Sequence, residues 1–428
     1  MQSISSMRAQ IGTLILATSA IQLANGFFTT FLSLRLTTQD FGAGLNGLVL
    51  SSYFAGFTLG ALRCGQIIER IGHIRAYAAF AGLVVAATAA MPLWVGPYVW
   101  SALRATIGFG CAGVFVTTES WLNAKAQASA RGRVFSIYMV GTFLALAAGQ
   151  YLIGQIELED SGPFNAIIGL FALALVMVST TRAEPPLVVP IEKLAYGHLF
   201  RDAPIAVVGC VANGLISSAF YALVPAWMED EGISRDTVAL AMLVTVTGGL
   251  VFQVPIGRLS DRFDRRAVLA ALGFGFAGSA LALVRLPHSL PLILPVAALL
   301  GGFMSSIYPV CVAYAHDQMP GDRVVAVSGQ LILISGLGSV AGPLIGTGLM
   351  ALAGLDGLFY FMAASAIVLA LIALGRRLVA GAPEHLQRSF EILAPQATPL
   401  AHDPCHFDSP QPGSGQRLDP AQGGRRPC

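Results

Sequence analysis

Long uncharged, mostly apolar runs recur along the whole chain, and they constrain its fold more than any other feature. A transmembrane helix needs roughly 20 consecutive apolar residues, because it rises about 1.5 Å per residue through a hydrocarbon layer about 30 Å thick. The uncharged runs near or above this length are 11–34, 41–62, 76–103, 134–156, 161–181, 203–228, 237–257, 267–284, 286–315, 324–355 and 357–375. The sequence therefore predicts an all-α polytopic membrane protein.

The composition excludes several other classes of protein. Charged residues make up 11% of the chain and hydrophobic residues 55%, whereas a soluble protein carries about 25% charge. So few charges cannot cover the surface of a large soluble fold. The same composition excludes a disordered chain and a secreted disulfide scaffold. The formal net charge of +2 also excludes a nucleic-acid binder with a strongly basic face.

One run is too long for a single helix. The segment 76–103 contains Pro92 and Pro97, so we interpret it as a span that ends near residue 94 and another that begins near residue 98. The second of these continues to about residue 122 and carries Arg104 and Glu119. The sequence thus predicts twelve transmembrane helices.

Basic residues predict the orientation. If the amino terminus is cytoplasmic, most Lys and Arg residues fall in cytoplasmic loops or the tail, among them Arg131, Arg133, Arg376 and Arg377. The opposite loops are mainly acidic. By the positive-inside rule both termini are cytoplasmic, and we expect a multi-pass protein of a bacterial-type inner membrane.

Polar residues repeat between two halves of the chain. Asn25, followed by Thr29 in the first span, is matched by Asn213, followed by Ser217 in the seventh. A charged motif also occurs twice, after the second and the eighth spans, with the residues Gly65, Glu69, Arg70 and Gly72 and then Gly257, Asp261, Arg262 and Arg265.

The repeat predicts two six-helix bundles, 1–181 and 204–375. A cytoplasmic loop, 182–203, joins them. The remaining segment, 376–428, is rich in proline, which is typical of a mostly disordered cytoplasmic tail, here with a short helix around 384–393.

This arrangement resembles the major facilitator superfamily (MFS) across about residues 8–376. The resemblance rests on the twice-occurring motif, although Glu69 replaces the usual Asp, Ile74 occupies a basic position and Asp264 replaces a Gly. The string Glu119-Ser120-Trp121-Leu122-Asn123 is also similar to the YcaD-like branch of that superfamily. The resemblance implies a transporter that works by alternating access, with the motif holding the outward-open state.

Two charges lie inside the fourth span, where each costs about 2.5–3.5 kcal/mol to insert. Arg104 and Glu119 share one helical face with Gly108, Ala112 and Phe115, and we expect that face to line a water-filled cavity. In the superfamily, an Arg followed four residues later by Gly on this span is associated with proton coupling. Glu119 is then the candidate proton carrier. The alternative is that Arg104 snorkels outward and Glu119 sits at the cytoplasmic edge in contact with water.

Polar residues in mid-span are candidates for substrate binding. The resemblance implies that the first, fourth, seventh and tenth spans line the central cavity. The candidates on these spans are Asn25, Asn213, Gln22, Ser217, Tyr221 and Tyr308. The alternative is interhelical hydrogen bonding, worth about 0.6 kcal/mol on average in membranes.

The glycines of both charged motifs have a mechanical interpretation. Gly65 and Gly257 would let their helices end close against a neighbour, and Glu69 and Asp261 could meet helix ends or arginines across the interface between halves. Alternatively, these charges only anchor the loops. On the eleventh span, Gly338, Gly342 and Gly346 are spaced four apart, which favours close helix packing.

Several site types find no support in the sequence. The six cysteines show no paired spacing, and no phosphate loop occurs, so we expect no metal, no cofactor and no enzymatic activity. A proton gradient would be the energy source.

The leading function is a monomeric, proton-coupled carrier of a small organic solute in the lipid bilayer, with efflux favoured over uptake by the resemblance. No nucleic-acid partner is expected. One alternative is a proton-independent uniporter of a small polar or anionic metabolite. Another is a transport-inactive sensor or scaffold that uses the tail.

Overall fold

The computed structural model describes residues 4–39, 41–127, 130–155, 161–180, 196–319 and 324–379, and this part of the chain is predominantly α-helical. The helices in chain order are α1 (Ile4–Thr37), α2 (Ala43–Ile71), α3 (His73–Ala90), α4 (Pro97–Lys125), α5 (Arg131–Tyr151), α6 (Gly162–Ser179), α7 (Tyr196–Asp202), α8 (Pro204–Asp230), α9 (Arg235–Arg262), α10 (Arg265–Arg285), α11 (Leu290–Asp317), α12 (Val324–Ala353) and α13 (Gly357–Val379). A 3-10 turn, Leu152–Gln155, extends α5.

Twelve helices of the described residues are long and apolar enough to cross a membrane, which confirms the predicted number of spans. They are α1–α6 and α8–α13, and α7 is a short connecting helix. The run 76–103 divides as predicted, because α3 ends at Ala90 and α4 begins at Pro97. Proline suits the first turn of a helix, where no N–H donor is needed.

The two charged motifs lie mainly in helices, which corrects the expectation of loops. Gly65, Glu69 and Arg70 belong to the last turns of α2, which runs well past its apolar segment to Ile71. Gly72 then turns the chain directly into α3 with a φ of 80°, a left-handed conformation that glycine adopts without steric cost.

The second motif has the same form. Gly257, Asp261 and Arg262 end α9, and Arg265 is the first residue of α10. At both places the uncharged run in the sequence ends before the helix does, because a helix can continue beyond the hydrocarbon layer into water.

The predicted repeat is visible in the helix packing. A methyl group at Gly26 of α1 would press on the Leu146 backbone of α5, and one at Gly214 of α8 would press on the Ser335 backbone of α12. The two six-helix halves therefore use the same close contact between equivalent helices.

A second pair of contacts repeats in the same way. Gly56 of α2 lies against the carbonyl of Ala105 on α4, and Gly248 of α9 lies against the carbonyl of Ala298 on α11. Close approach at small residues is the usual way to pack helices in a membrane, where no hydrophobic force drives them together.

The glycines of α12 also pack closely, as their spacing predicted. Gly338 and Gly342 lie against the backbone of α8 at Val211 and Leu215, respectively. α12 therefore lies tightly along α8 within the second half.

The halves contact each other at the face of the bundle opposite both termini. The hydroxyl of Ser33 on α1 donates a hydrogen bond to the carbonyl of Ala222 on α8 at 2.6 Å. Beside this contact, Gly154 lies against Asp236 at the start of α9. These contacts join the two halves on that side.

The outer surface is apolar, as a lipid-facing surface should be. Leu173 and Val176 on α6, and Val368 and Leu371 on α13, are each more than half exposed. The protein is thus a multi-pass integral membrane protein.

Candidate functional site

A cavity of about 140 Å³ lies between the two halves, near the middle of the spans. Six helices contribute to its wall: α1, α2 and α5 from the first half, and α8, α11 and α12 from the second. The lining residues are Asn25, Thr29, Tyr53, Phe54, Phe57, Thr58, Leu146, Gln150, Asn213, Ser217, Ser218, Tyr221, Met304, Ser305, Tyr308, Pro309, Ile332, Ser335, Gly336 and Ser339.

Five of the six candidate substrate residues line this cavity, namely Asn25, Asn213, Ser217, Tyr221 and Tyr308. Ser217 donates a hydrogen bond to the Asn213 side-chain oxygen at 3.4 Å, one helical turn away. The two halves therefore present their equivalent asparagines to one space.

Gln22 is the exception among these candidates. It is buried on α1, one turn before Asn25, and does not reach the cavity wall. Its side-chain oxygen has no hydrogen-bond partner within the described residues.

Several cavity groups are buried without a hydrogen-bond partner in the described part of the chain. They are the Asn25 side-chain oxygen and the hydroxyls of Tyr221 and Tyr308, whereas the Tyr53 hydroxyl lies within hydrogen-bonding reach of Asn25 and Cys111. An unsatisfied buried polar group costs about 1–3 kcal/mol, so these atoms are suited to bind a polar ligand or water inside the cavity.

Arg104 lies behind the cavity wall. Its guanidinium stacks on two aromatic rings, with Cζ 4.5 Å from the ring centre of Tyr53 and 4.9 Å from that of Phe28. The side chain is buried, and its Nε and Nη1 atoms have no hydrogen-bond partner in the part of the chain that the structure describes. Arg104 therefore does not snorkel outward.

The face of α4 that carries Arg104 packs against α2, which corrects the expectation that this face lines a water-filled cavity. A methyl group at Gly108 would press on the Tyr53 backbone, and the ring of Phe115 lies 6.2 Å from that of Phe57. α2 stands between α4 and the cavity, so α4 supplies no lining residue and α2 supplies four.

Glu119 is completely buried near the end of α4 that lies on the side of the termini. The Tyr138 hydroxyl of α5 donates a hydrogen bond to Glu119 Oε1 at 3.2 Å. The carboxylate is also within electrostatic range of Tyr308, in the cavity wall of the other half. Glu119 therefore lies inside the protein beside the cavity, and not at a water-exposed edge.

Polar contacts that the sequence did not predict are made by the residues on either side of Glu119 in the chain. The hydroxyls of Thr18 and Thr118 are 2.9 Å apart, and His73 Nε2 lies 3.0 Å from the Ser120 hydroxyl. These contacts connect α4 to α1 and to α3.

The two charged motifs differ in structure. In the second copy, Arg265 bonds Asp317 of α11 at 3.1 Å and Asp261 at 3.5 Å. This ion-pair cluster ties the α9–α10 turn to the end of α11, within one half of the molecule. In the first copy Glu69 and Arg70 are both exposed.

Gly65 does not have the expected packing role. A methyl group added at Gly65 would meet nothing within 4 Å, so no neighbouring helix approaches closely there. The spacing of the motif suggested a close contact, but the Cβ position of Gly65 faces open space.

Asp264, which replaces a glycine of the family motif, has a capping role. Its carboxylate accepts a hydrogen bond from the Arg266 backbone N–H at 2.9 Å and pairs with the Arg266 guanidinium at 2.8 Å. Burial acts to raise the pKa of this carboxyl, but the hydrogen bonds and charge of Arg266 outweigh it and hold the pKa below the usual value.

Sequence reasoning missed the contribution of α2, α5 and α12 to the site. Tyr53, Phe54, Phe57 and Thr58 come from α2, and their only signal was a polar–aromatic cluster within an otherwise aliphatic span. Ser335 and Ser339 of α12, one helical turn apart, gave a similar weak signal.

No group of three or more His, Cys, Asp or Glu side chains that could hold a metal ion is found among the described residues. Cys64, Cys111, Cys210 and Cys311 are buried free thiols. The two tail cysteines lie outside the described ranges.

Comparison with known proteins assigns the chain to a family. The family model described as Major Facilitator Superfamily matches residues 14–245 and 208–402. The uncharacterized MFS-type transporter YcaD of Shigella flexneri serotype 5b is 30% identical over 372 residues, covering 85% of this chain and 93% of that protein. The YcaD protein of Escherichia coli O139:H28 is 29% identical over the same length and coverage.

Solved structures share the fold. The nucleoside transporter NupG superposes with a TM-score of 0.72 at 11% identity, covering 86% of this chain and 98% of that one. A bacterial homologue of the human lysosomal transporter Spinster, in an inward-facing and unoccupied conformation, gives a TM-score of 0.69 at 16% identity, with 87% and 96% coverage. With family, relatives and fold in agreement, the chain belongs to the major facilitator superfamily and is a transporter of its YcaD-like branch rather than an enzyme.

Proposed function

We propose that the protein is a secondary active transporter that moves a small organic solute through its central cavity by alternating access, coupled to protons through Glu119. The observation that carries this proposal is a fully buried carboxylate beside the cavity, in contact with Tyr138. The solute and the proton would then bind within a few helical turns of each other.

A buried carboxylate is suited to carry a proton. Loss of water disfavours its charged form, whereas a hydrogen-bond donor such as Tyr138 favours it. A small movement of α4 against α5 would change this balance, so protonation of Glu119 could be linked to the position of the two halves.

Alternating access requires that one side of the cavity closes while the other opens. Ser33 and Ala222 join the halves just beyond cavity residues Thr29 and Tyr221, on the face opposite the termini. This conformation would load or release solute on the side of the termini, which the distribution of basic residues assigns to the cytoplasm.

Proteoliposomes test the proton coupling. Solutes that stabilise the purified protein in a thermal-shift screen of metabolites and drugs would be added to vesicles that contain the pH dye pyranine. We expect the wild-type protein to move protons on solute addition and Glu119→Gln to bind the solute without moving protons. Glu231→Gln, an exposed carboxylate in the turn between α8 and α9, serves as the matched control and should behave as wild type.

Two outcomes would contradict the assignment. Unchanged proton flux in Glu119→Gln would remove Glu119 from the coupling step. Solute flux that a protonophore does not change in the wild-type protein would instead support a uniporter.

The remaining features of the proposal are inferred from the sequence. The protein would act as a monomer in a bacterial-type inner membrane with both termini in the cytoplasm, and efflux is the preferred direction. A carboxy-terminal reporter fusion that is active only in the cytoplasm tests the orientation.

A further inference from the structure

The cavity wall carries no formal charge on any of its described lining residues. It offers phenol hydroxyls from Tyr53, Tyr221 and Tyr308, which can donate hydrogen bonds, and amides from Asn25 and Asn213, which can donate or accept. The described lining offers no carboxylate to pair with a cationic solute.

The charge of Arg104, behind Tyr53, makes one side of the cavity positive. Arg104 stacks on Tyr53, and among the described residues it forms no ion pair. A buried guanidinium without a counter-ion is costly, and its field acts strongly in an interior from which water is excluded. The Tyr53 side of the cavity is therefore positive.

Glu119 acts on the wall formed by the second half, where it is within electrostatic range of Tyr308. While Glu119 is ionised, an anion is disfavoured at that wall and favoured on the Tyr53 side, next to Arg104.

The size and the aromatic wall of the cavity suit a single ring. A closed cavity of about 150 Å³ holds benzene, and this cavity, which is partly open, has about 140 Å³. The rings of Phe54 and Phe57, 5.4 and 6.2 Å from the ring of Tyr53, form an apolar surface beside the polar groups.

We infer that the cavity binds a small monocyclic organic carboxylate, with its carboxylate hydrogen-bonded to Tyr53 and Asn25 in the field of Arg104 and its ring against Phe54 and Phe57. This inference rests on the proposed transport function, since it names the class of solute for that cavity. It excludes cationic amphiphiles as substrates.

Matched probes test the class of solute on the full-length wild-type protein in detergent. Benzoate, benzamide and benzylammonium share one ring and differ in charge. We expect benzoate to bind at least about tenfold more tightly than benzylammonium, measured by isothermal titration calorimetry at neutral pH. Equal or stronger binding of benzylammonium would overturn the inference, and so would failure of all three probes to bind at millimolar concentration.

Variants test the source of the selectivity. Arg104→Gln should weaken benzoate binding about tenfold and leave benzamide within twofold, and Tyr53→Phe should weaken benzoate binding severalfold while keeping the ring on which Arg104 stacks. Arg285→Gln, an exposed arginine at the end of α10, is the control. An equal loss for benzoate and benzamide in Arg104→Gln would mean that Arg104 only supports the fold.

The two proposals can fail separately. Binding is measured without a proton gradient, so Glu119→Gln should retain or increase the preference for benzoate, because it removes a nearby negative charge, even though it loses proton coupling. If Arg104→Gln does not fold, the wild-type comparison and the Tyr53→Phe variant still decide the class of solute.

Discussion

Single residues decide the electrostatics of this transporter. Arg104 and Glu119 lie on the same helix but meet different surroundings, one stacked on the rings of Tyr53 and Phe28 and the other hydrogen-bonded to Tyr138. Equivalent positions of α11 carry no charge, so the first half holds both buried charges near the cavity. The second half contributes hydroxyl groups and amides.

Asp264 allows a prediction at the residue scale. Its pKa is lowered in the folded state, so its contribution to stability is present above the ordinary value of 3.8 and is lost as the pH falls through the folded value. We expect Asp264→Ala to lower the free energy of unfolding by about 1–2 kcal/mol at pH 7 through loss of the cap. The ionic part of this difference should be lost only below pH 3.8, as the pH falls through the lowered folded value, and the part due to the neutral cap should remain.

Thermal unfolding in detergent at a series of pH values measures this effect. Asp264→Asn keeps the cap but not the charge, so it should fall between the wild type and Asp264→Ala at pH 7. A constant difference between wild type and Asp264→Ala from pH 7 to pH 3 would contradict the ionic part of the explanation.

At the scale of elements, the helices pack through small residues at equivalent places in both halves. Gly56 against Ala105 and Gly248 against Ala298 bring α2 to α4 and α9 to α11. Because these contacts leave no room for a methyl group, they fix the position of α2, which in turn carries Tyr53 into the cavity wall.

Substitution of these glycines gives a prediction at the element scale. Gly56→Ala would place a methyl group on the Ala105 carbonyl, and overpacking of this kind costs about 1–3 kcal/mol. Gly65→Ala is the matched control on the same helix, since its methyl group would meet nothing within 4 Å.

Apparent melting temperatures of the two variants provide the measurement. Gly65→Ala should be neutral or stabilising by up to about 1 kcal/mol, because alanine favours the helix. Equal effects of the two substitutions would show that α2 and α4 are not in close contact.

At the scale of the molecule, the two halves meet across the cavity, and one face of the bundle is closed. Ser33 and Ala222 belong to different halves and lie on the face opposite the termini. If the halves rock during transport, this contact must open in each cycle.

A cross-link across that contact tests the rocking motion. We expect cysteines introduced by Ser33→Cys and Ala222→Cys to form a disulfide on oxidation, in a background with Cys405 and Cys428 replaced by serine. Oxidation should abolish solute flux, and a reducing agent should restore it. A protease site placed in the segment 182–203 would reveal the disulfide on a gel, because the cut halves stay joined only if it forms.

The single-cysteine variants are the controls and should be insensitive to oxidant. Full flux in a completely cross-linked sample would argue that this face does not open during transport.

The sequence by itself determined the number of spans, the repeat and most of the cavity candidates, because hydrophobic length and paired polar residues such as Asn25 and Asn213 are local features. Only the tertiary structure decided that α2 lies between α4 and the cavity, which places Arg104 behind Tyr53 instead of in the wall. Helical periodicity predicts that Arg104 and Glu119 share one face of α4, but it does not predict which helix packs against that face. The neighbour depends on contacts between helices distant in the chain, and here close packing at Gly56 and Gly108 fixes it.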